Sequence, residues 1–320
     1  MSSSPMSLFP LSSSLVLALI LLFLMLLCFS DRAAESATFT FTNNCGNTIW
    51  PGILSNSGSP ALEPTGFSLP PGTSRCLPAP TGWSGRFWAR TSCSPDPSGH
   101  FLCATADCGS GTLECDGAAA SPPATLVEFT LSSSGGNDFY DVSLVDGYNL
   151  PVAVATVHGE GDCESTGCEV DLNQMCPMEL RAGEGEACRS ACEAFGRPEY
   201  CCSGEFATPA ACRPSPYSEM FKSACPSAYS YAFDDASSTF TCAGADYSIT
   251  FCPEAASSLK STLEQPSPPG NGDGIVVEED SWFAKLAMGD SAPTSSTGRD
   301  AAIFLATAVV SAIFCSLKGL

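Results

Sequence analysis

TLVEFTLSSSGGNDFYDVSLVDGYN, residues 125–149, decides the fold. Residues 126–131 alternate apolar and polar side chains, residues 138–145 do the same, and Ser, Gly and Asn fill 132–137 between them. This pattern predicts two antiparallel strands and a six-residue loop. With a symmetric loop the partner numbers add to 269, so Val127 meets Val142, Phe129 meets Tyr140 and Glu128 meets Asp141. One face is then apolar and the other acidic. Facing side chains have Cβ atoms about 4.5–5.5 Å apart, and like charges that close weaken a sheet. The pair therefore reads either as a functional site kept at a cost or, with Asp146, as ordinary solvated surface acids. Asp146 lies five residues past Asp141 and belongs to the other face of a regular strand. Asp146-Gly147 ends the strand, however, and a turn there is able to swing Asp146 back.

Working outward, both ends of the 320-residue chain carry signals of their own. Residues 15–29 are an apolar run of signal-peptide length followed by small residues, so 1–36 is expected to be a signal peptide cleaved near Ser36. An uncleaved anchor is the alternative. At the other end residues 301–317 are apolar, shorter than the ~20 residues of a spanning helix. Small residues at Asp290, Ser291 and Ala292, a polar spacer and this tail fit a glycosylphosphatidylinositol signal, with Asp290 or Ser291 as the attachment residue and 291–320 removed. A tail-anchored helix is the competing reading. Residues 254–290 are rich in Pro, Ser and Gly and read as a disordered stalk. The folded part is then 37–253, long enough to bury a real core.

Nineteen cysteines are present, and Cys28 and Cys315 belong to the apolar ends. Seventeen in a secreted domain form a disulfide framework, since an oxidising compartment preserves such bonds whereas thiolate metal sites want a reducing one. Being odd, the set leaves one thiol unpaired or bonded to another molecule. Residues 37–253 hold 8 Lys and Arg against 24 Asp and Glu, a balance of −16, which excludes nucleic acid and anionic head groups as partners and leaves neutral or cationic ligands. His100 and His158 stand in no nucleophile context, and no phosphate or dinucleotide fingerprint occurs.

ATFTFTNNC at 37–45 and SITFCP at 248–253 read as strands, with Cys45 and Cys252 stapling neighbouring chain ends. Alternating segments at 66–69, 86–91 and 152–157, set between Gly and Pro clusters, suit an all-β core. In RFWAR, Arg86, Trp88 and Arg90 share one strand face, which either pairs with a neighbouring acid or holds a carboxylate or a sugar. Residues 163–225 carry nine cysteines and few alternating runs, the texture of a loop-rich insertion. Within it, 183–195 is a short helix candidate that places Cys188 and Cys192 one turn apart. Cys201 and Cys202 are adjacent and should reach different partners.

GHFLCATADCGSGTLEC, residues 99–115, resembles the signature of the thaumatin-like proteins, the pathogenesis-related family of plants. NNCGNTIWPG, PTGWSGRFWARTSC, EYCCSGEF and YSEMFKSACPSAYSYAFDD resemble that family too, over residues 37–253. The resemblance implies a mainly β fold: an antiparallel β-sandwich core, a disulfide-rich second lobe at about 163–225, a small third lobe, and a cleft between the first two. It implies bridges Cys45–Cys252, Cys93–Cys103, Cys108–Cys115, Cys163–Cys242, Cys168–Cys225, Cys176–Cys188, Cys192–Cys201 and Cys202–Cys212. Cys76 is left over and is expected to be a free or intermolecular thiol. The family's acidic cleft carries over to Arg86, Glu128, Asp141, Asp146 and Asp234, the spacing from Tyr231 selecting Asp234 over Asp235.

By the same resemblance the partner is β-1,3-glucan or another cell-wall polysaccharide, bound by a monomeric, extracellular defence protein with no cofactor and no metal; the stalk and lipid-anchor signal, absent from the short secreted members of the family, are expected to join this one to the membrane. Hydrolysis of the same polymer, with Glu128 as acid and Asp141 as nucleophile, is the alternative. A cell-surface recognition module is a third. The second lobe, with Glu160, Asp162, Glu164, Glu169, Glu184 and Glu186, is more acidic than in antifungal relatives, which argues against attraction to an anionic fungal membrane.

Overall fold

In the computed structural model, residues 35–253 are described; the expected stalk, the attachment residues Asp290 and Ser291, and the signal peptide before residue 35 lie outside the described residues. The chain opens with β1 (Glu35–Asn43), β2 (Ile49–Ser55), β3 (Ser74–Pro80) and β4 (Ser84–Thr91), then the short hairpin β5 (Ser94–Pro95) and β6 (Phe101–Leu102). The long hairpin β7 (Leu126–Thr130) and β8 (Asn137–Ser143) is followed by β9 (Val152–Val157) and β10 (Thr166–Cys168). After the small ribbon β11 (Arg181–Ala182) and β12 (Ala187–Cys188), the chain returns through β13 (Phe240–Ala243) and β14 (Asp246–Phe251).

Two five-stranded sheets result, ordered β10-β9-β14-β1-β3 and β13-β8-β7-β4-β2. Their ladders are antiparallel except where β1 and β14 run parallel, Phe39 beside Tyr247. That exception joins the two ends of the domain, and Cys45–Cys252 closes just beyond it.

Alternation explains the packing. Phe39 and Phe41 on β1 and Tyr247, Ile249 and Phe251 on β14 point inward from one sheet; Phe87, Val127, Phe129, Tyr140 and Val142 meet them from the other, all buried. Phe39 sits at the centre, its ring 5.4 Å from Trp83, 4.8 Å from Phe87 and 4.7 Å from Phe129 in edge-on contacts. Truncating it would cost about 3–5 kcal/mol.

The hairpin takes the register read from the sequence: Val127 opposite Val142, Glu128 opposite Asp141, Phe129 opposite Tyr140. Buried polar groups pin both of its ends. In the loop, Asp138 accepts hydrogen bonds from the Ser132 amide (2.7 Å) and the Tyr247 hydroxyl (2.8 Å). At the open end Asn149 donates to the Ala89 carbonyl and the Thr105 hydroxyl and accepts from the Thr125 amide, tying the hairpin to β4.

Four expectations are corrected. Residues 66–69 form only isolated bridges, Ile49 with Leu69 and Gly52 with Gly66, rather than a strand. The RFWAR face is divided: Arg86 stays partly open, but Trp88 and Arg90 are buried beneath the loop that follows β6. Trp88 Nε1 donates to the Ala106 carbonyl, and Arg90 donates to the Trp50 and Leu113 carbonyls. The helix candidate at 183–195 is shorter: Gly183 and Gly185 take positive φ in a turn, Cys188 ends β12, and the helix is Ala191–Phe195, capped by the Ser190 hydroxyl. Cys188 and Cys192 therefore face different partners, Cys176 and Cys201.

Cys76 is the fourth. It is disulfide-bonded rather than free. The eight bridges implied by the resemblance all form, four of them within the lobe of 163–225 and a fifth, Cys163–Cys242, closing it onto the sandwich.

Candidate functional site

On the outer face of the second sheet, adjacent strands set side chains into rows. Arg86 on β4 pairs with Glu128 on β7, which pairs with Asp141 on β8. All three alternate with core residues and so project away from the sandwich interior. Arg86 Nε lies 3.5 Å from Glu128 Oε1, and each side chain keeps about a third of its exposure, 32% and 35%. Glu128 and Asp141 thus sit side by side with one guanidinium at the end of the row.

Asp146 joins them by a turn. The Gly147 amide donates to the Leu144 carbonyl and Gly147 takes φ +84°, a conformation open to glycine. A Cβ there would stand 2.7 Å from the Cys188 carbonyl oxygen. The chain therefore folds back, and Asp146 acts electrostatically on Glu128 as well as on Glu193 in the cysteine-rich lobe.

Asp234 stands outside the row. Its Oδ2 accepts from the Ser230 amide and hydroxyl, both at 3.0 Å, and pairs with Lys222 Nζ at 3.0 Å. The half-buried ammonium needs that countercharge, and Asp234, leading into the helix Asp235–Ser238, turns back to supply it. Asp235 adds to the rise of Asp141, after burial and Glu128, and accepts a hydrogen bond from the Tyr229 hydroxyl at 3.0 Å.

Burial and mutual repulsion shape the titration. Asp141 is pushed up to about 8, by burial first and then by Glu128 and Asp235, with Arg86 opposing. Glu128 is raised as well, by burial, with Arg86 pulling it back and Asp146 adding to the rise. Arg86 pairs directly with Glu128 and opposes the rise of both carboxyls. Among the described residues no group of three His, Cys, Asp or Glu side chains is placed to hold a metal ion.

Beside Asp146 the sandwich and the cysteine-rich lobe enclose a cavity of about 370 Å³. Asp146 and Val145 line it from the hairpin; Glu193, Tyr200, Tyr217 and Tyr231 line it from the other side. The concavity expected between the lobes is present; of its tyrosines, which were not foreseen, Tyr200 lies on the short helix Pro198–Cys201 and Tyr217 at the start of the helix Pro216–Ala224.

This arrangement defines a disulfide-braced β-sandwich protein with an acidic row on one sheet face and, beside Asp146, a cavity against the cysteine-rich lobe. Residues 43–253 match the thaumatin family, and the chain belongs to it. Thaumatin-like protein 1 of Arabidopsis thaliana is 62% identical over 227 residues, covering 69% of this chain and 87% of that protein. A Prunus avium protein named glucan endo-1,3-beta-glucosidase is 52% identical, over 73% of this chain and 98% of its own length. The PR5-like receptor kinase of Arabidopsis thaliana is 46% identical over 86% of this chain and 42% of its own.

Proposed function

We propose that the domain binds β-1,3-glucan, or a similar cell-wall polysaccharide, over the row of Arg86, Glu128 and Asp141, with Asp146 and Asp235 flanking it, and that it serves plant defence outside the cell. The observation that carries this is the direct opposition of Glu128 and Asp141 on an open sheet face. Two carboxyl groups beside one guanidinium offer donors and acceptors for sugar hydroxyls, and a mixed set of that kind orients a neutral ligand without chemistry on it. The test is retention of the purified protein on insoluble β-1,3-glucan together with release of reducing ends, for the natural protein, Glu128→Gln and Asp141→Asn. Retention that both substitutions weaken, without sugar release, is the expected result; no retention of the natural protein refutes it.

A second reading, hydrolysis, is favoured by the raised Asp141 carboxyl standing opposite Glu128 and by the name of the Prunus avium relative. Asp141 would then give its proton to the glycosidic oxygen. Sugar release abolished by either substitution would establish that reading.

Extracellular delivery through the expected signal peptide, and attachment at Asp290 or Ser291, complete the proposal, with the monomer held at the outer face of the plasma membrane. A phosphatidylinositol-specific phospholipase applied to intact cells should release the protein; retention on the membrane refutes the anchor.

A further inference from the structure

We propose that the groove beside β13 is a second binding site, for an amino sugar: a saccharide whose ammonium groups meet the Asp162 and Glu164 carboxylates while its hydroxyls meet Ser237, Thr239 and Thr241. The site is separate from the acidic row and does not depend on the glucan reading.

The groove has a volume of about 430 Å³, within the ~300–1,000 Å³ common to small-molecule sites, and all five of these residues line it. β13 is the edge strand of the second sheet, and alternation sends Phe240 inward, stacked on Tyr140 at 6.1 Å, and Thr241 outward. Thr241 stands directly opposite Phe139 on β8, whose side chain is 50% exposed. Directly opposed side chains have Cβ atoms about 4.5–5.5 Å apart, so an apolar ring borders the hydroxyls. Hydroxyls that both donate and accept, beside an aromatic ring, suit a sugar better than a bare cation.

The opposite wall is the loop 160–164, which is clamped onto β13. Glu160 and Ala243 exchange backbone hydrogen bonds at 2.9 and 3.0 Å, the Cys163 amide donates to the Thr241 carbonyl at 3.1 Å, and the Cys163–Cys242 bridge locks the two segments together. The Tyr140 hydroxyl donates to the Glu164 carbonyl from beneath. The backbone that carries Asp162 and Glu164, on either side of Cys163, is therefore set before any ligand arrives, which lowers the ordering cost of binding. No Lys, Arg or His lines the groove, and among the described residues neither carboxylate takes part in an ion pair, whereas Glu128 in the acidic row has Arg86. Two carboxylates without a countercharge, in a domain with 8 Lys and Arg against 24 Asp and Glu, call for a cation. The hydroxyls call for a sugar, and an amino sugar answers both.

Calorimetric titration of the purified full-length protein at about pH 5.5, where ordinary carboxylates and amines are both charged, tests this with a β-1,4-linked glucosamine tetramer, its N-acetylated counterpart and spermine. The glucosamine tetramer should bind. The N-acetylated tetramer, which has lost its charge, and spermine, which has charge without hydroxyls, should each bind about 10-fold more weakly or worse. Asp162→Asn combined with Glu164→Gln should weaken the glucosamine tetramer roughly 3- to 20-fold. Glu184→Gln combined with Glu186→Gln removes the same charge from an exposed segment outside the groove and should leave the affinity within about 2-fold. Equal losses for the two pairs would reduce the binding to the overall charge of the domain and overturn the site. Spermine or the N-acetylated tetramer binding as tightly as the glucosamine tetramer would overturn the amino-sugar assignment, and so would a glucosamine tetramer that does not bind. Neither Glu128 nor Asp141 lines the groove, so failure here leaves the glucan reading standing.

Discussion

Asp141→Asn should stabilise the domain at alkaline pH while weakening the proposed retention on glucan. The folded protein holds Asp141 at about 8 against an ordinary value of 3.8, so between those values the native state binds a proton that the unfolded state has released. Stability from this group is therefore complete below about pH 4 and is lost as pH rises toward 8. At about 1.4 kcal/mol per unit the ceiling is about 6 kcal/mol. The row is half open to water, with Glu128 35% exposed, and screening brings the usable part down to about 1–3 kcal/mol. An asparagine keeps the shape and never charges, so the variant should unfold about 2–10 °C higher than the natural protein at pH 8 and at nearly the same temperature at pH 4. Thermal melts at both values, read by near-ultraviolet circular dichroism, measure this. A variant that is less stable at pH 8, or whose gain is the same at both values, would refute the argument that facing carboxyls are retained at a cost.

Three further outcomes follow from neighbouring residues. Arg86→Gln removes the guanidinium facing Glu128; the loss of stability between pH 5 and pH 8, followed by denaturant midpoints, should grow by about 1–2 kcal/mol. Asn149→Ala strips the hairpin's open end of its buried hydrogen bonds to Ala89, Thr105 and Thr125, and should lower the melting temperature by roughly 5–15 °C, or about 2–4 kcal/mol. Gly147→Ala forces a Cβ onto the Cys188 carbonyl and Pro123; it should cost about 1–3 kcal/mol and, by moving Asp146, reduce retention on glucan at a temperature where the domain is still folded.

The hairpin was legible because two strong local signals agreed: period-two alternation on both arms, and a loop symmetric about its middle. Given those, register follows, and with it the meeting of Glu128 and Asp141. The missed elements have physical reasons. β2 contains Pro51 and β3 contains Pro78 and Pro80, residues that argue against a strand, yet both strands lie at sheet edges, where a missing amide breaks no ladder. The cysteine-rich lobe lacks periodicity because bridges rather than an apolar stripe hold it, so the tyrosines of the cavity and the true extent of the helix Ala191–Phe195 could not be read in advance. Asp234 and Asp235 differ only in which way one turn sends them, a choice made by Lys222, twelve residues upstream of Asp234.

The same geometry bears on binding against hydrolysis. A retaining glycosidase sets its acid and its nucleophile about 5–5.5 Å apart so that they flank the scissile bond, and an inverting one sets them farther apart to admit water. Glu128 and Asp141 are direct cross-strand neighbours, so their carboxyls rise close together, nearer to a retaining arrangement than to an inverting one. Their direction does not suit that arrangement. Both rise from one face of one sheet, and a glucan lying over that face meets both carboxyls from the same side. Arg86 adds to this by holding Glu128 to the sheet. A floor of this kind grips hydroxyls well and is poorly placed to pinch a bond from two sides, so Glu128→Gln, which keeps the size and the acceptor oxygen, should lose a few-fold in retention rather than all of it. Loss of every trace of a measurable sugar release on that single change would mean that a second wall, from the cysteine-rich lobe, closes over the ligand and turns the floor into a jaw.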